Sequence, residues 1–207
     1  MPTILLVRHG ETDWNRSGQI MGERPVPLNQ AGEIQAKQLA ALLKNRPVHA
    51  LYSSPVARTR QTADILAATL NVAVQTDRGL TEIGVGQWEG RFWKDLTDDI
   101  IRLNFYDNPS DARPPGGETL REVQARAVAA VERARADAAL DAGPLVFVSH
   151  ADVVRAILAH YLRFDLQRVR QLRIDHASLP ALRFEEGTVD LLYLNYPPNL
   201  NLLWPVT

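Results

Sequence analysis

The sequence predicts an α/β fold: a three-layer sandwich whose central sheet is mostly parallel with at least one antiparallel strand, flanked by helices on both faces. Three observations carry this. Ile4 to Val7 and Leu145 to Val148 are uninterrupted apolar runs rich in β-formers, the pattern of fully buried strands. Strand and helix patterns alternate through much of the chain, which implies parallel strands joined by crossovers. Near the end, Ser178 to Phe184 and Thr188 to Asn195 flank Glu185-Glu186-Gly187, which reads as a hairpin and adds the antiparallel strand.

In chain order, the first strand stops abruptly at Arg8-His9-Gly10, where Gly10 is expected to let the chain turn away. Thr12 to Pro27 is polar and punctuated by Gly18, Gly22, Pro25 and Pro27, so it is expected to be a long loop without a regular element. A helix follows, with Asn29 as its cap and Ile34, Leu39, Leu42 and Leu43 along an apolar face, ending near Asn45 to Pro47. His49 to Tyr52 is a short strand that runs into Ser53-Ser54-Pro55, and Val56 to Leu70 is the next helix, carrying Arg58. Val72 to Gln75 reads as a third strand. The segment from Gly79 to Gly90 is glycine-punctuated, and 91–107 reads as short inserted helices; Trp88, Phe92 and Trp93 either line a pocket or fill core. After Pro114-Pro115-Gly116-Gly117, the longest helix runs from Glu118 to Leu140, with the Glu118 carboxylate complementing the helix dipole. Leu145 to Ser149 repeats the opening pattern, an apolar strand that delivers His150, and Ala151 to Leu162 is an amphipathic helix. The proline-rich tail, Tyr196 to Thr207, is expected to pack along the surface.

Composition narrows the function. A chain of 207 residues fits one domain, 1–207, with a short helical insertion at about 88–113. The formal charge of -1 and the absence of a basic block argue against nucleic acid as a partner, and the lack of an apolar run of roughly 20 residues or of a leader pattern argues against a membrane. The expected location is the cytoplasm. There is no cysteine, and the five histidines form no short paired spacing, so neither a metal nor another cofactor is expected. The expected partner is a small-molecule substrate; the apolar tail is compatible with a homodimer.

Three strand ends carry chemistry: Arg8 and His9, the serine turn that leads to Arg58, and His150. In a parallel sheet such ends lie on one edge, so these residues converge. Arg is a planar donor fork suited to phosphate, and His serves as nucleophile or proton carrier.

The set Leu-Val-Arg-His-Gly-Glu-Thr, Ser-Ser-Pro-Val-Ala-Arg-Thr-Arg-Gln-Thr-Ala, Leu-Thr-Glu-Ile-Gly-Val-Gly-Gln-Trp-Glu-Gly, Pro-Gly-Gly-Glu-Thr and Val-Ser-His closely resembles the histidine phosphatase superfamily, with its phosphoglycerate mutase-like fold. The resemblance spans essentially the whole chain. It implies that His9 is the nucleophile that forms a phosphohistidine, that Arg8, Arg58 and His150 clamp the phosphoryl oxygens, and that Glu82 is the general acid. It also implies that Asn15 and the amide of Ala151 help bind phosphate. Another branch of the superfamily places an Asp directly after the second histidine. Here the order is His150-Ala151-Asp152, so Asp152 is read mainly as a carboxylate at a helix N-terminus. The resemblance is to the phosphatase side, because Glu82 is followed by Ile-Gly-Val-Gly-Gln-Trp-Glu-Gly rather than the Arg-His-Tyr-Gly of cofactor-dependent mutases. It implies a metal-independent phosphomonoesterase acting on a small phosphorylated metabolite, with a phosphoglycerate mutase-type phosphotransferase or a non-catalytic binder of a phosphorylated ligand as the alternatives. Arg24 and Lys94 are candidates for a second anionic group, while His49, His160 and His176 are read as structural.

Overall fold

The computed structural model describes residues 3–96, 105, 107–138 and 143–195. The strands are β1 (Thr3–Arg8), β2 (Ala50–Ser53), β3 (Val74–Thr76), β4 (Leu145–Ser149), β5 (Ala181–Glu185) and β6 (Thr188–Tyr193). The helices are α1 (Asp13–Ser17), α2 (Gln30–Leu43), α3 (Ala57–Leu70), α4 (Leu120–Asp137) and α5 (Ala151–Tyr161), with 3-10 turns at Arg78–Leu80, Gly86–Trp88, Trp93–Leu96 and Leu166–Gln171.

The strands form one six-stranded sheet in the order β3-β2-β4-β1-β5-β6. The pairs β1-β4, β2-β4 and β2-β3 are parallel, and β1-β5 and β5-β6 are antiparallel. Alternation along the two central strands explains the layers. Ile4 and Leu6 of β1, with Leu145 and Phe147 of β4, pack with Leu120, Val123, Ala127 and Val131 of α4 and Val153, Val154 and Ile157 of α5. Leu5, Val7, Val146 and Val148 point the other way, onto Leu39 and Leu43 of α2 and Ala63 and Leu66 of α3. Both faces of these strands are therefore apolar, as parallel strands covered by crossover helices must be.

The loop expected after β1 contains a helix. Thr12 and Asn15 form a reciprocal capping box at the start of α1, and Gly18 ends it at φ 73°. Five residues stabilised by caps, with no buried side chain, leave no apolar periodicity to read. The hairpin is present, and the other helices and strands fall within a few residues of their expected bounds. The tail at 196–207 and most of the inserted segment between 97 and 106 lie outside the described residues.

Gly10 does not need a positive φ. Its constraint is close packing, since a Cβ there would sit 2.4 Å from the carbonyl oxygen of Gly32, and one on Gly32 would sit 2.1 Å from that of Glu11. The chain after β1 thus lies directly on the first turn of α2. Both contacts are backbone, so Gly10→Ala is expected to destabilise the fold by about 1–3 kcal/mol. Urea unfolding checks this, and an unchanged midpoint would refute the packing role.

Candidate active site

Register brings the two histidines together. Arg8 lies opposite Ser149 in the parallel β1-β4 pair, so His9 and His150 are the next residues along neighbouring strands. Their ring centroids are 5.3 Å apart, and both side chains are buried. The His9 ring is oriented by the nearest carbonyl: Nδ1 lies 2.7 Å from Gly10 O, which can only accept, so Nδ1 carries the proton and Nε2 keeps its lone pair. Arg58 Nε donates to that Nε2 at 3.2 Å. Burial, reinforced by the charges of Arg58 and Arg8, holds the His9 pKa well below the usual imidazole range. His9 is therefore a neutral imidazole with an aimed lone pair.

Arg58, on the first turn of α3, is fully buried. It donates to Gly22 O at 2.8 Å and to Arg24 O at 3.1 Å, and its Nη2 lies 3.9 Å from Glu82 Oε2. Arg8 donates to Ile174 O at 2.7 Å and to His176 Nε2 at 2.8 Å, while its buried Nε has no partner. Burial draws the Arg8 pKa down to about 10, which leaves it cationic at neutral pH. His150 Nε2 lies 3.0 Å from Ser54 Oγ. Its buried Nδ1 also lacks a hydrogen-bond partner and lies 3.6 Å from Glu82 Oε2. Two unpaired buried nitrogens in a cluster of two guanidinia and two imidazoles suit an incoming oxyanion.

Glu82 faces this cluster from a loop that is braced from behind. The Arg126 guanidinium on α4 donates to the carbonyls of Gly79, Thr81 and Glu82 at 2.9, 2.6 and 3.1 Å. It also pairs with Glu118 at 2.9 Å, and Glu118 in turn accepts from Gly84 N at 2.8 Å. This corrects the reading of Glu118: α4 begins at Leu120 with Thr119 as its cap, so Glu118 lies outside the helix and supports the loop.

The superfamily's family model (histidine phosphatase, branch 1) matches residues 4–197. The chain belongs to the histidine phosphatase superfamily. One relative, "Probable phosphoglycerate mutase GpmB" of Escherichia coli (strain K12 / DH10B), is 33% identical over 189 residues, covering 90% of this chain and 87% of that protein. Among solved structures, a mycobacterial glucosyl-3-phosphoglycerate phosphatase superposes with a TM-score of 0.86 at 26% identity, over 94% of this chain and 99% of its own. The α-ribazole phosphatase from Shigella flexneri gives 0.84 at 25% identity, over 94% and 96%. A mostly parallel, phosphoglycerate mutase-like fold is therefore shown, and membership supports an enzyme. Among the described residues, no helix is long and apolar enough to cross a membrane.

In this member of the superfamily the two carboxylates near the histidines are pulled in opposite directions. Burial raises the Glu82 pKa to about 7, the negative charge of Asp152 adds to the rise, and Arg58 and Arg8 oppose it. Burial would also raise Asp152, but Arg170 and Arg155 outweigh it and hold the Asp152 pKa below the usual value. Arg155 Nη1 is 2.9 Å and Arg170 Nη1 3.7 Å from Asp152 Oδ1. One carboxyl is thus protonatable near neutrality while the other stays ionised, a separation that suits Glu82 better than Asp152 to proton transfer. Asp152→Asn removes an anion and frees two cations, so the pH at which Glu82 ionises should fall. This would appear as an acidward shift in the alkaline limb of alkyl-ester hydrolysis, and an unmoved limb would sever Asp152 from the acid.

Structure brings Arg8, His9, Arg58, Glu82 and His150 into one cluster. Asn15 lines a cavity beside Glu82, with its Oδ1 accepting from Thr12 N at 3.1 Å in the α1 capping box. Ala151 opens α5, where the N-cap residue His150 makes no side-chain capping bond. The Arg24 side chain pairs with Glu89 at 3.1 Å. Lys94 lies over the Phe92 ring, 5.4 Å from its centroid. Trp88 is core, whereas Trp93 lines the cavity. His176 was read as structural, yet it accepts from Arg8 and its ring lies 6.1 Å from that of His9. No local pattern marks it, because it arrives on a loop rather than at a strand end. Ser54 and Arg126 likewise acquire their roles only through tertiary contacts.

Proposed function

We propose that the protein is a phosphomonoesterase that works through a phosphohistidine on His9, without a metal, on a small phosphorylated metabolite. The observation that carries this reading is the commitment of His9 Nδ1 to Gly10 O, which leaves Nε2 as the lone pair among Arg58, His150 and Glu82. In the first half-reaction, Nε2 attacks phosphorus, the P–O bond to the alcohol breaks, and protonated Glu82 gives its proton to the departing oxygen. Arg8 and Arg58 balance the charge on the remaining oxygens, and His150, whose pKa is held well below the usual imidazole range by burial and by Arg58, adds a neutral donor. In the second, water attacks the phosphohistidine, Glu82 takes the water proton, and the P–N bond breaks to restore neutral His9.

The names of the sequence relatives favour a second reading, a phosphoglycerate mutase, which shares the first half-reaction and passes the phosphoryl group to a sugar-acid hydroxyl. One experiment separates the two. Labelled enzyme, loaded in excess chelator, is chased with water alone or with a phosphoglycerate acceptor. Release of inorganic phosphate unaffected by the acceptor is expected. Transfer of label to the acceptor would replace the hydrolase reading with the mutase, and an enzyme that never acquires label would replace both with a binding protein.

A further inference from the structure

The cavity beside Glu82 has a volume of about 190 Å³. Its hydrocarbon walls come from Trp14, Ile20, Ile83, Val85, Trp93 and Phe105. The aromatic side is preformed, since Trp88 packs behind it, edge-on to Trp93 at 6.0 Å and to Phe105 at 5.6 Å. Trp93 is half-buried, which leaves part of its surface to the cavity. The charged side chains among the described lining residues are Glu82 and Asp152, both carboxylates. The guanidinia nearest Asp152 are directed at that carboxylate, Arg155 at 2.9 Å and Arg170 at 3.7 Å. Arg170 also lies over the Phe105 ring at 4.3 Å, and Arg24 is paired with Glu89.

Glu82 must reach the oxygen that leaves, so whatever that oxygen is attached to occupies this cavity. A carboxylate on the alcohol would lose hydration against the hydrocarbon part of the wall and would find the guanidinia of Arg155 and Arg170 already committed to Asp152. An ammonium would find Asp152 already compensated by two guanidinia. From this wall we infer that the departing alcohol is uncharged and presents an apolar or aromatic face, and that phosphoesters bearing a carboxylate or an amine are poor substrates. The inference rests on the phosphomonoesterase reading and names the substrate class of the same site.

The test uses the full chain in excess chelator with four alkyl phosphates: phenylethyl phosphate, ethyl phosphate, 3-phosphoglycerate and phosphoethanolamine. All four leave as alkoxides in need of a proton, so differences among them report the cavity rather than leaving-group strength. The kcat/KM for phenylethyl phosphate is expected to exceed each of the others by about ten-fold or more. Trp93→Ala should draw the phenylethyl-to-ethyl ratio toward one, and a ratio needs only that some folded protein remains. Equal or better turnover of 3-phosphoglycerate or phosphoethanolamine, or a ratio unchanged by Trp93→Ala, overturns the inference. Phosphohistidine formed equally from all four esters overturns it while leaving the phosphomonoesterase standing. No label and no hydrolysis from any ester would overturn both.

Discussion

His9→Ala is expected to lower kcat by about 10⁴-fold or more, and to abolish the acid-labile phosphate that wild-type protein acquires from a phosphoester. The expectation follows from how the ring is held. Gly10 O fixes Nδ1, Nε2 points at Arg58 Nε, and no cysteine exists to substitute as a nucleophile. Alanine leaves the rest of the pocket tied down, because Arg58 keeps its bonds to Gly22 O and Arg24 O and Arg8 keeps those to Ile174 O and His176. Phosphate binding should therefore survive, and inorganic phosphate should inhibit unlabelled ligand binding to the variant much as it does in wild type. Rapid-quench labelling with phosphate-labelled ester checks the covalent step. A variant that retained more than about a tenth of wild-type turnover would remove His9 from the mechanism.

Glu82→Gln is expected to slow alkyl-ester hydrolysis by about 10²- to 10⁴-fold, the range typical of general acid–base catalysis. Aryl esters with good leaving groups should lose much less, since their oxygen departs without a proton. If both classes fall equally, the acid lies elsewhere. The pH dependence follows from the same group. With the Glu82 pKa raised to about 7 by burial and by Asp152, the acid form disappears above that pH, so alkyl-ester kcat/KM in wild type should decline on the alkaline side. Glu82→Gln should lack this limb. Stability has the same sign: the folded state prefers protonated Glu82, so that preference is fully expressed below the ordinary value of 4.5 and is lost as pH rises through about 7. Glutamine stays neutral throughout. The Tm of Glu82→Gln relative to wild type should therefore rise between pH 5 and pH 8, and thermal melts at the two values measure it.

Much of this was legible in sequence for a physical reason. β1 and β4 are buried on both faces, so their apolar runs are unbroken and the polar residues that end them stand out. That contrast exposed Arg8, His9 and His150, and the serine turn after β2 pointed to Arg58. Other features were silent because they depend on contacts between distant segments. The brace on Glu82 joins Arg126 to carbonyls more than forty residues away, and nothing around Arg126 sets it apart from other arginines on a helix. His176 gains its place by accepting from Arg8, 168 residues distant. Helix α1 was missed for a local reason, since its stability comes from caps rather than from an apolar face. Gly10 was singled out correctly but for its flexibility, whereas its constraint is the space taken by Gly32.

The bracket formed by Arg126 and Glu118 gives Glu82 a mounting separate from that of the two histidines. His9 and His150 are mounted on adjacent central strands, while Glu82 hangs from α4. Gly84 N donates to Glu118, so the loop that carries Glu82 is tied to the residues just before α4. Under the proposed mechanism, exchanging Ile83, Val85 or Trp93 alters the wall of the cavity while His9 and His150 keep their places at the sheet edge.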